Sequence, residues 1–260
     1  MLGFLLALGL CAPGGGAACA GAALWPAGAG QAIASLTLDD IVGGFDGAGR
    51  PLPRARWSKS EFSLFLEYGV SDSTTLVAQT AFGDLRSSAS PIRKDALEPT
   101  ALGARFKLWS SHNQILSLQS TVRAPTLPVS AAPYFARGSS LGADLRILYS
   151  RSFIALARPT FVDIQTGWRL SGQEFEGAAH VDLTFGVRPI KRILLMAQSF
   201  ARMGRLSPWC SKLSADDKAQ LSLVYDFTEQ WSAQIGAFAT IAQVNAARER
   251  GALVAVWRRF

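Results

Sequence analysis

"FLEYGVSDSTTLVAQ", Phe65–Gln79, contains two alternating arms and a polar turn between them. Upstream, Phe62, Leu64, Leu66 and Tyr68 fall on one side of the first arm, and Ser63, Phe65 and Glu67 fall on the other. Period two marks a strand, because successive side chains of an extended backbone point to opposite faces. One face of this hairpin is apolar and the other largely polar. Which solvent meets each face decides the fold.

The same pattern recurs along the chain. In "TALGARFKLW", Leu102, Ala104, Phe106 and Leu108 oppose Gly103, Arg105 and Lys107. In "SLGADLRILYS", Leu141, Ala143, Leu145, Ile147 and Tyr149 oppose Asp144 and Arg146. "FVDIQTGWRL", "AHVDLTFGVR" and "AQLSLVYDF" repeat it, and no long amphipathic helical segment competes. The reading is all-β, with strands expected near 31–38, 58–70, 73–83, 100–110, 113–123, 139–149, 153–169, 178–188, 191–201, 218–227, 230–240 and 251–260. That makes about twelve strands, with Pro159 interrupting one of them.

Alternation fits two arrangements. A soluble sandwich or lipocalin-like barrel turns the apolar face inward, whereas a membrane barrel turns it outward to lipid. The strands run to about ten residues, beyond the soluble mode of five or six. Charged residues make up only 17% of the 260, against about 25% in ordinary soluble domains. Connections alternate in length. "YGVSDS", "WSSHN", "YSRS", "RPIK" and "DFTEQW" are short; 39–57, 84–99, 124–138, 202–217 and 241–250 are long, and 171–177 is intermediate. Short turns at one end and longer loops at the other mark transmembrane barrels. Tyr68, Trp109, Tyr149, Phe227 and Trp231 sit beside the short turns, as an interfacial girdle requires. The expected fold is therefore a transmembrane antiparallel β-barrel of the cell outer membrane. Both termini and the short turns would be periplasmic, and the longer loops extracellular.

The start, "MLGFLLALGLCAPGGGAACAGAALW", has an apolar run from Leu2 to Leu10, too short to span a bilayer as a helix. Ala18, Ala20 and Ala22 then offer small residues for signal-peptidase cleavage. Residues 1–22 are expected to be a removed signal peptide, and residues 23–260 a single barrel domain. A buried N-terminal helix would have to accommodate Gly14, Gly15 and Gly16. Cys19 lacks the upstream leucine of a lipid-anchor box, and Cys210 is then alone, which provides neither a disulfide framework nor a thiolate metal cluster. The net charge of +7 is spread singly along the strands, so no basic stripe for nucleic acid forms.

The C-terminal "ALVAVWRRF" resembles the closing strand of bacterial outer-membrane barrels, which ends in Phe and is read by the barrel-assembly machinery. Ala252, Val254 and Val256 fit that pattern, whereas Arg258 departs from it. "FLEYGVSDSTTLVAQ", "LGADLRILYS" and "VDLTFGVRP" resemble repeated phrases of proteobacterial barrels, including the phenol-degradation MetA-like group. "GQAIASLTLDD", "FDGAGR" and "WSKSEFSLFLEYGVSD" are similar to XagA-like barrels associated with exopolysaccharide. These resemblances imply an outer-membrane barrel, a role in polysaccharide export or surface adhesion, and no catalytic residues to transfer.

In a membrane barrel the polar faces line the lumen. The candidate lumen-lining residues are Glu67, Arg105, Lys107, Asp144, Arg146, Asp163, Arg169, Asp182 and Arg188. They would either pair across strands in a closed interior or line a path that selects solutes by charge. The expected function is a channel for small polar, anionic or saccharide-like solutes, or a part in exopolysaccharide export. The alternative is a closed barrel for surface interaction. A surface-modifying hydrolase and a soluble periplasmic binder rank below both. The two histidines, His112 and His180, are expected at opposite ends of the barrel. Ser139, Ser140, Glu174 and Glu176 gather near one rim without a G-x-S-x-G motif. "GFDGAGR" lacks the P-loop lysine, and Asp39, Asp40 and Asp46 match no calcium loop. No catalytic residue, cofactor or metal site is expected.

Overall fold

The alternating segments form strands that run beyond the point where the apolar pattern fades. The structure, a computed structural model, describes residues 21–43, 50, 56–87, 93–124, 127–128, 141–171, 176–207 and 210–260. Twelve long strands build the wall. They are β1 (Gly30–Val42), β2 (Arg56–Ser71), β3 (Thr74–Ser87), β4 (Arg93–Ser111), β5 (Gln114–Arg123), β7 (Gly142–Ala155), β8 (Arg158–Ser171), β9 (Glu176–Ile190), β10 (Ile193–Ser207), β11 (Cys210–Asp226), β12 (Trp231–Val244) and β13 (Arg248–Arg259). The two-residue β6 (Leu127–Pro128) clips onto β4 at Ala96 and Leu97.

Each wall strand pairs antiparallel with its sequence neighbours, and β1 pairs with β13 from Gln31↔Arg259 to Val42↔Arg248, closing the barrel. Gly30 N–H donates to the Phe260 carbonyl at 2.8 Å, and Phe260 N–H donates back at 3.0 Å, sealing the end of that seam. Closure leaves no edge strand and satisfies the backbone within the wall, the condition for sheet to cross a bilayer.

Wall strands span 10 to 19 residues. Three of the five expected long connections are therefore largely strand. β3 ends at Ser87 and β4 begins at Arg93; β10 ends at Ser207 and β11 begins at Cys210; β12 ends at Val244 and β13 begins at Arg248. Pairing continues past the apolar belt because ladder hydrogen bonds need no apolar face, whereas the sequence pattern that marks a strand fades where the wall leaves lipid.

One short turn lies elsewhere than expected. Three hairpins turn inside the expected segments, at 72–73, 112–113 and 227–230, and a fourth, at 191–192, turns at the end of "RPIK" and one residue beyond it. The fifth turns at Leu156–Ala157, not at "YSRS". Ser150 and Arg151 lie within β7, opposite Asp163 and Val162. The single strand expected over 153–169 is therefore the end of β7 and most of β8, with Pro159 opposite Ile154 beside the hairpin. Both turn residues are left-handed, with φ 49° and 58°, the requirement of a two-residue I′-type hairpin. An apolar Leu-Ala pair carries none of the glycine or asparagine chemistry by which such turns are read.

The outer face is a continuous apolar belt. Phe62, Leu64 and Leu66 on β2, Leu145 and Ile147 on β7, Val181, Leu183 and Phe185 on β9, and Val254 and Val256 on β13 are all exposed. Tyr68, Trp109, Phe227, Trp231 and Phe260 are exposed at the end that carries the termini and the tight turns, here called the terminal end. Arg258, the departure from the C-terminal pattern, lies 4.8 Å over the Trp231 ring, a cation–π contact within that girdle.

The interior of the terminal end is filled. Leu194, Met196, Val224, Ala255 and Trp257 form an inward apolar cluster, with Ile33, Phe161 and Leu253 packed against it. On the other side, residues 21–29 enter the barrel ahead of β1. Gly69 and this segment bond reciprocally: Gly28 N–H donates to the Gly69 carbonyl and Gly69 N–H to the Ala29 carbonyl, both at 2.9 Å. A Cβ at Gly69 would lie 2.1 Å from the Pro26 carbonyl oxygen, so only glycine lets the segment dock there.

Candidate functional site

The lumen is built by the inward positions of the wall, and its charges group in height. Deepest at the terminal end, Glu67 on β2 and Arg105 on β4 pair at 2.8 Å, and each side chain is 4% exposed. Arg105 also donates to Gln119 Oε1 from Nε (3.1 Å) and Nη2 (2.9 Å), and from Nη1 to the Ala23 carbonyl (2.8 Å). Trp25 donates its indole N–H to Glu67 at 3.0 Å and its backbone N–H to Thr75 at 3.0 Å. Ser117 donates to the Ala22 carbonyl at 2.6 Å. Residues 22–25 are thus bonded to β2, β3, β4 and β5, a plug of the chain's own backbone.

A second group lies above it on β7, β8 and β9. Asp144, 2% exposed, accepts from Arg146 Nε at 2.7 Å and from Arg169 Nε at 3.0 Å. Arg146 reaches Asp182 at 3.1 Å and Gln165 at 3.5 Å through Nη1. His180 is buried beside them, its Nε2 3.7 Å from Asp144 and without a hydrogen bond. A third group sits near the terminal rim, where Arg188 pairs with Asp226 at 2.7 Å and Arg259 reaches the same carboxylate at 3.3 Å. Asp163, the remaining candidate acid, faces the plug.

These placements sort the sequence candidates. Glu67, Arg105, Asp144, Arg146, Asp163, Arg169, Asp182 and Arg188 all face inward, and all but Asp163 meet an opposite charge across strands. Lys107 is corrected: it is exposed and its ammonium donates to the Asp72 carbonyl at 2.6 Å, at the rim of the first hairpin. Lys107 keeps the register of Arg105, opposite the buried Ser117, so its exposure comes from its place at the hairpin end of the lumen and not from a change of face. His112 lies in the turn between β4 and β5, whereas His180 lies inside the lumen rather than at the rim. Asp40 is taken by Arg56 at 3.0 Å and Arg250 at 3.1 Å. Asp46, Ser139, Ser140 and Glu174 and the side chain of Glu176 lie outside the described residues, as does "GFDGAG" of the glycine-rich stretch.

What the sequence reading missed is the glutamines. Between the plug and the second charge group lies a cavity of about 360 Å³ whose polar lining is Gln31, Gln79, Gln119, Gln165, Gln198, Gln220 and Gln234, with Arg123, Arg146, Ser35 and Thr121, and whose apolar wall includes Phe65, Val77, Met196, Leu253 and Trp257. Gln220 donates to Gln198 at 2.9 Å and Gln198 to Thr184 at 3.2 Å, so part of the lining is a chain of neutral amides. Each such glutamine is the polar half of an alternating pair, which is the signal that could have found it. The lumen therefore presents compensated charge and amide dipoles, with donors and acceptors in near balance.

No protein-family model matches the chain, and no curated protein matches it in sequence. Solved structures do match in fold. The COG4313 outer membrane channel from Pseudomonas putida F1 superposes with a TM-score of 0.71 at 15% identity, covering 92% of this chain and 98% of that one. This is an outer-membrane β-barrel. The β domain of the Bordetella autotransporter BrkA matches the barrel at a TM-score of 0.52 and 8% identity, covering 90% of this chain and all of that one (100%). The transport unit of the autotransporter AIDA-I from Escherichia coli matches it at 0.52 and 8%, covering 88% and 90%. With its lipid-facing belt and polar lumen, this outer-membrane barrel meets lipid along the apolar belt.

Proposed function

We propose that the barrel is a channel for small, neutral, hydroxyl-rich solutes of the saccharide kind, closed in this conformation by residues 21–29. The observation that carries the reading is the amide-lined cavity. Seven glutamines around about 360 Å³ offer paired donors and acceptors to a polyhydroxylated solute, and the nearby arginines are largely neutralised by acids. Compensation weakens the case for an anion filter that the basic residues suggested. The likeness in fold to a channel and the XagA-like phrases of the first strands support transport of this class, which includes a part in exopolysaccharide export. The termini and tight turns are periplasmic in this reading, and the protein is not an enzyme. Phe260 would present the seam to the assembly machinery.

The occluded terminal end favours one second reading, a closed barrel whose loop end serves surface interaction. Passage requires residues 21–29 to shift, and the closed reading does not. Proteoliposome swelling with a series of neutral sugars separates the two. The channel reading expects uptake of mono- and disaccharides that rises when residues 23–28 are deleted. In planar bilayers Gln198→Glu and Gln220→Glu should turn the current cation-selective. Folded protein that neither swells liposomes nor conducts, with or without the deletion, would leave the closed barrel standing.

A further inference from the structure

Asp163 has no place in the charge network of the lumen. It is 1% exposed and accepts the Ala22 N–H at 2.9 Å and the Gln165 amide at 3.0 Å. Among the described residues no cationic side chain forms an ion pair with it, although every other inward acid of the lower and middle lumen has one. A buried carboxylate is retained at a heavy desolvation cost unless a cation accompanies it. Among the described residues, then, no cation is in ion-pair contact with Asp163.

The group that touches the carboxylate is Gly21. A Cβ built there would lie 1.8 Å from Asp163 Oδ2 and 2.0 Å from Oδ1, and the residue has φ 77°. Only glycine fits, and its backbone is pressed on the acid. Immediately before it the sequence reads Ala18-Cys19-Ala20, small residues third and first ahead of the Ala20–Gly21 bond, after the apolar run of Leu2–Leu10. Ala22, by contrast, is fully buried, its N–H held by Asp163 and its carbonyl by Ser117. Residue 22 is bonded as part of the finished barrel, not as part of a discarded leader.

We infer that the chain is cut between Ala20 and Gly21, and that the α-ammonium so created is the counter-ion of Asp163, pinning residues 21–29 inside the terminal end. Hydrolysis by a signal-peptidase-type enzyme adds water across the Ala20–Gly21 amide. It leaves a carboxylate on Ala20 and an amine on Gly21, which is protonated at neutral pH. The cut falls on the exported chain before the barrel closes, so the enclosure of Gly21 in the folded protein is no obstacle. The boundary moves two residues ahead of the one expected from composition. The inference holds whether or not the barrel conducts.

Intact mass and N-terminal sequencing of the protein purified from outer membranes test the cut. The expected product begins Gly-Ala-Ala-Leu-Trp; a start at Ala23, an acylated Cys19 or retention of residues 1–20 would overturn the inference. Reductive methylation tests the pairing. In the folded parent at neutral pH the α-amine should react about tenfold more slowly than in the urea-unfolded chain, the effect of a one-unit rise in its pKa. In Asp163→Asn, whose amide preserves shape, the α-amine should react at nearly the unfolded rate while lysine reactivity stays unchanged. Equal α-amine rates in the folded and unfolded parent would refute the ion pair without recourse to the variant.

Discussion

Glu67 and Arg105 meet 2.8 Å apart inside the barrel, although their strands, β2 and β4, are separated by β3. The guanidinium also holds Gln119 on β5 and the Ala23 carbonyl of the plug, and the carboxylate also holds Trp25. Thr75 on the intervening strand takes the Trp25 N–H. One buried pair therefore joins four strands to the segment that occludes them. Structure and closure share the same bonds at this point.

Arg105→Ala should destabilise the barrel by about 3–5 kcal/mol, because it leaves the Glu67 carboxylate buried and unpaired. The double variant Glu67→Gln with Arg105→Gln removes both charges and should recover much of the loss. Urea titration of the folded fraction, read by heat-modifiable mobility on a gel, measures both. Equal loss in the two variants would mean that packing rather than charge dominates the site.

The Leu156–Ala157 hairpin stores strain. An L-residue in the left-handed region costs about 1–2 kcal/mol, and Leu156 is in addition 97% exposed. Leu156→Asn with Ala157→Gly supplies the residues that I′-type turns prefer. The variant should unfold at higher urea, with a gain of about 1–2 kcal/mol. A fall in the midpoint would show that the apolar tip is held by something other than the turn.

Orientation is open to a direct measurement. In a Cys210→Ser background, Ser90→Cys should react with a membrane-impermeant maleimide on intact cells. Ser73→Cys, in the tight turn after β2, should react only after the cells are broken. The opposite pattern would invert the barrel and place the plug on the outside.

The glutamine lining predicts a size and chemistry limit rather than a charge filter. Arg146→Gln, which frees Asp144 and Asp182 of one shared guanidinium, should change ion preference toward cations while leaving uptake of neutral sugars within about twofold, since Coulomb energies act on the ion and not on the sugar. Loss of both together would point to collapse of the middle charge group.

Alternation is a local property, and it sufficed for much of the fold. Phe62, Leu64 and Leu66 against Ser63, Phe65 and Glu67 determined strand, outward face and inward face without reference to any distant residue. The twelve staves, the lipid-facing belt and the inward course of eight charged candidates followed from that pattern repeated. Strand ends were not legible, because ladder bonds continue where the apolar face stops. The Leu156–Ala157 turn was not legible, because its backbone conformation is imposed by register rather than preferred by its residues. Lys107 keeps the inward register of Arg105 yet stands at the rim of the first hairpin, an end of the lumen that periodicity does not mark. Leu194, Met196, Val224 and Trp257 gather inside the barrel only once the wall from β10 to β13 is assembled and curved. The plug is the extreme case: Ala22 meets Asp163 across 141 residues of chain. Closure of the sheet makes the pairing of inward charges obligatory, because the low-dielectric interior does not exist until the first strand meets the last.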